Sequence, residues 1–285
     1  MNMKDKICLV TGSTSGTGYI TALELAKAGA TVVMLCRNEA KGKTARHSII
    51  QSSGNERVDL LIADLAEMQD VRRAAMQFNS KYPRLDVLVN NAGGIIHPRR
   101  ETSQGLEAMF AGNYLGHFLL TELLLDKLKS AGQARIINVS SIAHNNARID
   151  FDDLHLKSNL SSAYGQSKLA QIFHTYELAD RLRGCGITVN AMHPGAVSSG
   201  FKNGVTGFRR AIAYAIYALI GISPEKGADT IVYLATSPEV ADVTGKYFIK
   251  RKQVPSRGVS NDVALRKRLW AETQALLRSL ECAVA

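Results

Sequence analysis

A tyrosine, a lysine and a serine in the middle of the chain are of types that carbonyl chemistry can use as proton donor, cation and hydroxyl. Tyr164 and Lys168 are four residues apart, and Ser141 precedes them in the sequence. If Ser162 begins a helix, the phenol and the ammonium group lie on one helix face, about one turn apart. The spacing therefore predicts that the lysine acts directly on the tyrosine.

An ammonium group beside a phenol makes the phenol more acidic. A free tyrosine titrates near ~10, and a pKa near ~7 requires roughly 4 kcal/mol of preference for the phenolate. One buried cation could supply much of that free energy. The pair by itself also fits a tyrosine and a lysine on a solvated helix, so the surrounding chain has to decide between the two interpretations.

A glycine-rich segment near the N-terminus follows a short apolar run, Ile7–Val10, that is typical of a buried strand, and a helical pattern comes after it. Glycines let a backbone approach a phosphate closely, and the N-terminus of a helix attracts a pyrophosphate. A plain tight turn is the alternative interpretation. The residues that we predict at the phosphates are Gly12, Ser15, Gly16 and Gly18.

The second predicted strand, Thr31–Cys36, is followed directly by Arg37, where a dinucleotide-binding fold meets the adenosine ribose. An aspartate at this corner would bind the 2′-hydroxyl of NAD, but an arginine stands there instead. With Lys41 and Lys43 close by, Arg37 could pair with the 2′-phosphate of NADP. The sequence therefore predicts a preference for NADP(H) over NAD(H), with a solvent-facing arginine as the alternative.

Strands and helices alternate along the chain at the spacing of βαβ units, which predicts an α/β fold with a doubly wound, parallel, Rossmann-like sheet. Ligands of such a sheet bind at the carboxyl ends of the strands. The segments that we place at those ends are Asp64–Leu65, Asn90–Gly94, Ser140–Ser141 and Pro194–Gly195.

The middle and the C-terminal part of the chain add further predictions. A helix expected from 102 to about 129 has Asn113 within its apolar face, where a polar residue must either bond to neighbouring backbone or contact the active site. Lys246–Ile249 is expected to be the last strand, and Asp262–Glu281 a terminal helix. Residues 196–222 begin with glycines and continue as an apolar segment, which predicts a lid over the substrate or, alternatively, a core helix that faces away.

Composition and charge limit the classes of function. The chain has 285 residues, of which 46% are hydrophobic, so we expect one domain over residues 1–285. The net charge of +10 is spread along the chain, which favours a solvated surface over a nucleic-acid interface. Four dispersed cysteines indicate neither a metal site nor a disulfide framework, and a cytoplasmic protein is expected. No apolar run reaches the ~18 residues of a membrane span, while contact with a membrane surface and a homo-oligomer stay open.

Several motifs together resemble the short-chain dehydrogenase/reductase family in order and spacing, over roughly residues 5–250. These motifs are Thr11–Gly18, Asp64–Leu65, Asn90–Gly93, Asn113, Ser141, Tyr164-x3-Lys168 and Pro194–Gly195. The segments most similar to the retinol dehydrogenase-like branch of that family are Cys36–Arg37, Asn113–Phe118 and Val139–His144.

The resemblance implies a role for each matched residue. Tyr164 would be the general acid in reduction and the base in oxidation, and Lys168 would lower its pKa and hold the nicotinamide ribose. Ser141 would hydrogen-bond the substrate oxygen, and Asn113 would hold a water that links Lys168 to solvent. NADP(H) would exchange a hydride with a small apolar alcohol, aldehyde or ketone. The implied cofactor-binding residues are Gly12, Ser15, Gly16, Gly18, Arg37, Asp64, Leu65, Asn91, Ala92, Gly93, Tyr164, Lys168, Pro194, Gly195 and Val197.

The chain also departs from the family pattern. Thr17 stands where the family usually has an aliphatic residue, and Val197 and Ser198 stand where this branch often has a threonine. These departures do not involve the proton-transfer residues, but they leave open which residue contacts the nicotinamide amide. The competing class is an NADP-binding sensor or scaffold without turnover, and such proteins commonly lose the tyrosine or the lysine that this chain keeps.

Overall fold

The computed structural model describes residues 2–154, 163–195 and 222–282. Within these ranges eight strands form one sheet, in the order β3-β2-β1-β4-β5-β6-β7-β8. The strands are β1 Ile7–Thr11, β2 Thr31–Cys36, β3 Val58–Ile62, β4 Val87–Asn90, β5 Ala134–Val139, β6 Ile187–His193, β7 Lys246–Ile249 and β8 Lys252–Val254. All pairs of neighbouring strands from β1 to β7 are parallel, and β8 pairs with β7 in the antiparallel direction.

Helices cover both faces of the sheet. They are α1 Gly16–Lys27, α2 Glu39–Ser53, α3 Met68–Lys81, α4 Ala108–Phe110, α5 Gly116–Lys129, α6 Ala163–Arg181, α7 Pro224–Thr236 and α8 Val263–Cys282. A π-helical segment, Ala111–Leu115, joins α4 to α5 without a break. None of the helices in the described ranges has the length and apolar character that crossing a bilayer would need.

Burial on both faces explains the continuous apolar runs of the central strands. In β1, Leu9 belongs to the core under α3, α5 and α6, while Cys8 and Val10 belong to the core under α1, α2 and α7. All three side chains have no exposed surface. The predicted doubly wound α/β fold is therefore confirmed.

The position of β1 creates the crevice of the fold. Its neighbours are β2 on one side and β4 on the other, so the chain winds outward in two directions from this point. In an open α/β sheet, ligands bind at such a switch point, beyond the carboxyl ends of the strands. The segments after β1 and β4 are consequently the first places to look for a binding site.

The long helix predicted from residue 102 begins later than the apolar pattern indicates. Thr102 lies in a turn, where its hydroxyl accepts a hydrogen bond from the Leu106 backbone N–H at 3.1 Å. Helix α4 starts only at Ala108, because the Glu107 carboxylate caps the Met109 and Phe110 N–H groups at 3.0 and 2.7 Å. A glutamate that caps from within an apolar run hides this boundary in the sequence.

The prediction that Lys246–Ile249 is the last strand was wrong, because β8 follows it as the second strand of a hairpin. Lys250 and Arg251 form the turn with φ of +51° and +62°. Glycine and asparagine are the usual residues in that left-handed region, so two basic residues gave no turn signal. The predicted lid, 196–222, lies outside the described residues except for Ile222.

Candidate active site

The glycine loop between β1 and α1 is so tight that side chains cannot replace two of its glycines. Gly12 has φ +66°, in the left-handed region that favours glycine. A Cβ atom added at Gly18 would lie 2.3 Å from the Gly12 carbonyl oxygen and 2.4 Å from Asn91 Nδ2. Only glycine permits this close approach of α1 to the end of β1.

Polar groups in the loop fit a ligand that bears phosphate. The Ser13 hydroxyl is fully buried and has no hydrogen-bond partner among the described residues. Ser15 is the N-cap of α1 but makes no side-chain capping bond, so the first N–H groups from Gly16 onward keep their capacity to bind an anion. An orphaned buried hydroxyl beside an uncapped helix N-terminus is an arrangement that a pyrophosphate can satisfy.

The residues after β2 place positive charge at the same edge of the sheet. Arg37 is exposed, and none of the ion pairs in the described ranges involves it. Asn38 caps α2 by accepting a hydrogen bond from the Lys41 backbone N–H at 2.9 Å. Lys43 is engaged with Glu39 at 2.7 Å. Of the three cations that we expected near the cofactor phosphate, Lys43 is therefore engaged, whereas Arg37 and Lys41 are in no ion pair of the described residues.

Asp64 and Leu65 lie just beyond β3 and are engaged in local structure. The Asp64 carboxylate accepts a hydrogen bond from Ala66 N at 3.0 Å and lies 3.7 Å from the Arg100 guanidinium. Leu65 is buried, and a Cβ added at Gly116 would lie 2.0 Å from its carbonyl oxygen. These contacts bring the pair against the start of α5, and a direct contact to the cofactor stays a prediction.

The loop after β4 is held against β1 by threonine and asparagine side chains. The Thr11 hydroxyl accepts hydrogen bonds from the Asn91 and Ala92 backbone N–H groups, both at 2.9 Å. Asn91 Nδ2 donates back to the Thr11 carbonyl at 2.8 Å, and its Oδ1 accepts from the Thr17 hydroxyl at 2.8 Å. Thr17, the departure from the family pattern, thus has a defined role in pinning Asn91.

Gly93 is the point where this loop meets the predicted catalytic residues. It has φ +154°, and a Cβ added there would lie 2.9 Å from Asn113 Oδ1 and 3.3 Å from Lys168 Nζ. The structure therefore brings Gly93, Asn113 and Lys168 together from the loop after β4, the π-helical segment and α6.

Asn113 makes the backbone bonds that one of the two alternatives predicts, and it also lies next to residues of the predicted site. Its amide binds neighbouring backbone, accepting from Gly94 N at 3.0 Å and donating to Gly94 O at 3.1 Å. It also donates to the Ser167 hydroxyl of α6 at 3.2 Å, next to the predicted catalytic lysine. The π-helical segment that contains Asn113 is a common device for directing a side chain into a functional site.

Lys168 is a buried cation that is held by two acceptors. Its side chain is 4% exposed, and Nζ donates to Val139 O and to Gln171 Oε1, each at 2.9 Å. Burial disfavours the charged form and lowers the pKa of Lys168 from 10.5 to about 7. The ammonium group is therefore poised to change its charge near neutral pH.

Tyr164 lies one turn before Lys168 on α6, as the spacing predicts. Lys168 Nζ is 5.7 Å from the centre of the Tyr164 ring, within the range in which a cation and an aromatic ring interact. The tyrosine is half-buried, and its backbone carbonyl accepts the Ser167 hydroxyl at 2.8 Å. Ser162, which we expected to begin the helix, lies outside the described residues.

Ser141 follows β5 and begins a short 3₁₀ helix, Ile142–Asn146, which rests on α6 beside Tyr164. The Ser141 hydroxyl accepts a hydrogen bond from Ala143 N at 3.2 Å, so its own hydrogen stays available to a ligand. A Cβ added at Gly165 would lie 3.2 Å from the Ala143 carbonyl oxygen, which shows how closely the turn meets α6. Ser141 and Tyr164 thus belong to one region of the surface.

The segment after β6 is described only in part. Pro194 and Gly195 follow β6 at the carboxyl edge of the sheet, and Gly195 has φ +91°. A Cβ added at Gly195 would lie 2.4 Å from Ile222 Cδ1, so Gly195, just before the predicted lid, lies close to the last residue of that segment. Val197 lies outside the described residues, and its cofactor contact stays a prediction.

Some residues of the site were not singled out from the sequence. Gln171 stands three residues after Lys168, so helical spacing could have identified it. Thr11, Ser13 and His117 lie within segments quoted from the sequence, but no role could be assigned to them there, because the contacts or burial that distinguish them depend on the folded chain. The loop after β4, for example, is 80 residues from the Thr11 hydroxyl that binds it.

Comparison with known proteins identifies the family to which this chain belongs. A family model described as short chain dehydrogenase matches residues 6–210. Retinol dehydrogenase 13 of Homo sapiens is 43% identical over 279 residues, which cover 95% of this chain and 84% of that protein. Polyprenol dehydrogenase of Homo sapiens is 38% identical over 277 residues, with coverages of 94% and 84%. The solved Pseudomonas aeruginosa RhlG/NADP active-site complex has a TM-score of 0.68 at 28% identity, covering 87% of this chain and 95% of that chain. This chain therefore belongs to the short-chain dehydrogenase/reductase family, in its retinol dehydrogenase-like branch, and is an oxidoreductase.

Proposed function

We propose that the enzyme transfers a hydride between NADP(H) and an apolar alcohol, aldehyde or ketone, with Tyr164 as the general acid and base. The observation that supports this most strongly is the convergence of Gly93, Asn113 and Lys168 beside Tyr164 at the carboxyl edge of the sheet. An NADP-binding sensor without turnover is the competing function. It has no need for a buried lysine held next to a tyrosine, which makes it the weaker candidate.

The residues that would hold the cofactor follow the edge of the sheet. The glycine loop with Ser13 and Ser15 would take the pyrophosphate, and Arg37 the 2′-phosphate. Lys168 and the loop Asn91–Gly93 would take the nicotinamide ribose. Asp64, Leu65, Pro194, Gly195 and Val197 complete the proposed set. When bound, NADP(H) supplies or accepts the hydride at the substrate carbon.

The protein residues would donate, accept and relay the proton. In reduction, the Tyr164 hydroxyl gives its proton to the substrate oxygen as negative charge develops there, and in oxidation the phenolate takes it back. The Lys168 ammonium stabilises that phenolate and so lowers the pKa of the phenol. Ser141 donates its free O–H to the same substrate oxygen, which orients the carbonyl and stabilises the developing charge. Asn113 would hold the water through which Lys168 exchanges protons with solvent.

An apolar substrate is favoured by the rim of the site and by the relatives. Ile142, next to Ser141, is 53% exposed, and Ile95, just beyond Gly94, is 40% exposed. Large apolar side chains at the mouth of a polar site can lower the free energy of a bound apolar molecule by removing its surface from water. Two of the relatives are named for the alcohols retinol and polyprenol. The lid proposed over residues 196–222 would add further apolar surface.

Other properties stay proposals drawn from the sequence. A cytoplasmic location follows from the dispersed cysteines, and peripheral membrane contact or a homo-oligomer would be compatible with the same enzymatic activity.

The cofactor preference is tested by comparing kcat/KM for NADPH and NADH in the wild type and in Arg37→Ala, with an apolar aldehyde as the second substrate. A charge-assisted hydrogen bond contributes about 1.5–3 kcal/mol, so we expect NADPH to be favoured by roughly tenfold to a hundredfold. Arg37→Ala should remove most of that ratio, whereas Arg278→Ala, which deletes an exposed arginine on α8, should leave it unchanged. Equal values for the two cofactors in the wild type would refute the preference.

A further inference from the structure

His117 is a fully buried histidine near the start of α5, and both of its ring nitrogens have partners. Nδ1 is 3.0 Å from the Asn113 carbonyl oxygen, and Nε2 is 3.0 Å from the Thr11 hydroxyl. Because a carbonyl can only accept, Nδ1 must carry the ring proton and Nε2 must be the acceptor. The Thr11 hydroxyl therefore donates to Nε2, since its other acceptor, the Val89 carbonyl, is farther away at 3.3 Å.

The π-helical segment places the Asn113 carbonyl in front of this ring. Gly116 N donates to the Ala111 carbonyl, five residues back, instead of four as in an α-helix. The inserted residue changes the direction of the carbonyls in this turn. His117, one turn after Asn113, follows the insertion and binds the Asn113 carbonyl through its side chain.

These bonds belong to a closed set of hydrogen bonds, called here the His117 circuit, which runs from Thr11 through the loop Asn91–Gly94 and Asn113 to the His117 ring. With its hydrogen directed to His117, the Thr11 hydroxyl offers its lone pairs to the N–H groups of Asn91–Ala92 at 2.9 Å. The Asn113 amide binds both backbone groups of Gly94, and the Asn113 carbonyl returns the circuit to the His117 ring. The two bonds that link Thr11 to the Asn113 carbonyl through the ring thus depend on the tautomer of one histidine.

We propose that His117 is a positioning residue for hydride transfer, which sets the loop Asn91–Gly94 and the Asn113 side chain relative to Lys168. Gly93 belongs to that loop, and a Cβ added there would lie 2.9 Å from Asn113 Oδ1 and 3.3 Å from Lys168 Nζ, so the loop passes close to both groups. This inference rests on the proposed function, because it assigns His117 an effect on the cofactor and on the proton path.

The surroundings of His117 keep the ring neutral, as the circuit requires. Burial, against the opposing bond to the Asn113 carbonyl and with a smaller contribution from the nearby charge of Lys168, lowers the pKa of His117 to about 4. His174 of α6 is the other titratable group close to the ring, and burial lowers its pKa to about 3. Near neutral pH, Nε2 therefore keeps the lone pair that accepts the Thr11 hydroxyl.

The test compares three substitutions in the otherwise intact enzyme. His117→Leu removes both bonds, His117→Asn can keep a donor near the Nδ1 position, and His117→Gln can keep an acceptor near the Nε2 position. We expect His117→Leu to lower kcat for carbonyl reduction by roughly tenfold to a hundredfold, with a smaller rise in the Kd for NADPH. The Asn and Gln variants should each recover part of the loss.

A matched control separates positioning from stability. His174 is also buried, at 3% exposure, but its Nε2 has no partner among the described residues. His174→Leu should therefore leave kcat unchanged. The combination of Thr11→Val with His117→Leu should cost less than the sum of the two single effects, since both substitutions break the Thr11–His117 bond. Wild-type kcat in a folded His117→Leu variant would overturn the inference, as would a loss that His174→Leu reproduces.

Two readouts do not depend on turnover. Nitrogen-15 NMR of the wild type should show a neutral His117 with its proton on Nδ1, and a proton on Nε2 would overturn the inference. The affinity for NADPH should be lower in His117→Leu than in the wild type, and the Asn and Gln variants should recover part of it. If the wild type binds NADPH with this signature but reduces no carbonyl compound, the proposed function fails while the positioning of the loop by His117 stands.

Discussion

At the scale of single residues, Lys168 is the group whose charge matters most to the proposed mechanism. It is buried and bound to Val139 O and Gln171, while the proposal requires its ammonium group to stabilise the Tyr164 phenolate. Burial lowers the pKa of Lys168 to about 7, so the buried position of the side chain makes its charged form less stable. A free enzyme with this lysine should be sensitive to pH in the neutral range.

We expect kcat/KM for NADPH to fall as the pH rises through about 7, because this parameter reports the free enzyme and the neutral amine loses its attraction for the anionic cofactor. The measurement is initial rates across neutral pH with the carbonyl substrate at saturation. In Lys168→Arg the guanidinium stays charged, so any remaining activity should lose this dependence. A wild-type profile that is flat across the neutral range would contradict the assignment.

The same shift makes a prediction about stability. The lysine binds its proton with a pKa of about 7 when folded and near 10.5 when unfolded, so between these values the unfolded state holds more protons. Stability should therefore rise with pH across this window, and the penalty should be fully present below about 7. Lys168→Met should be more stable than the wild type at neutral pH and should lack that contribution to the slope in denaturant unfolding. Equal slopes for the two proteins would contradict the shift.

At the scale of elements, the glycine loop and the loop after β4 act as one unit. Thr11, Thr17 and Asn91 bond them together, and the absence of a side chain at Gly18 lets α1 approach. A substitution that separates the two loops should act on the cofactor before it acts on the fold.

Gly18→Ala tests this unit. Its added methyl group would overlap the Gly12 carbonyl and the Asn91 amide, so we expect the Kd for NADPH to rise at least about tenfold, equivalent to ~1.4 kcal/mol. NADPH fluorescence titration measures the change. Gly258→Ala is the control, because a Cβ there meets no atom within 4 Å and the glycine has an ordinary φ. Unchanged affinity in Gly18→Ala would show that the loop does not hold the cofactor.

The element pattern was predictable where the physics is local. β2 was predicted at Thr31–Cys36, because a continuous apolar run between polar segments marks a strand that is buried on both faces. The π-helical segment at Asn113 and the turn at Lys250–Arg251 were missed. Both depend on contacts made by the folded chain, and the turn lacks the glycine or asparagine that usually marks a left-handed backbone.

The residues of the candidate site also divide into those that the sequence could predict and those that it could not. Tyr164 and Lys168 could be predicted because four residues along a helix is a local distance, and the structure has them in contact. The His117 circuit could not, since it joins Thr11 to a helix 106 residues away. Motifs thus indicated the groups that we propose take part in the reaction, while the groups that hold them in place could be identified only from the fold.

At the scale of the whole molecule, helix α8 packs onto the layer that contains the site residues. Trp270 is 5% exposed and meets Phe118 of α5 with ring centres 4.7 Å apart, and the Arg181 guanidinium lies 4.3 Å from its ring centre. The terminal helix therefore belongs to the same core as α5 and α6. Its contribution should be to the stability of the fold, since none of these contacts involves the cofactor edge.

We expect Trp270→Ala to lower the free energy of unfolding by about 3–5 kcal/mol, the usual range for truncating a large buried aromatic side chain. Denaturant unfolding followed by circular dichroism measures the loss, and Trp270→Phe should lose a smaller part of it. The Kd for NADPH should not change in either variant while the protein is folded. A loss of cofactor affinity without a loss of stability would mean that α8 has a part in the site.

The central claim, that Tyr164 transfers the proton during NADP-dependent hydride transfer, is tested most directly by Tyr164→Phe. Single-turnover oxidation of bound NADPH by an apolar aldehyde, together with the Kd for NADPH, separates chemistry from binding. The account predicts a folded variant with unchanged NADPH affinity and a rate lower by about 10² or more, the scale of general acid catalysis. A rate near that of the wild type would contradict it.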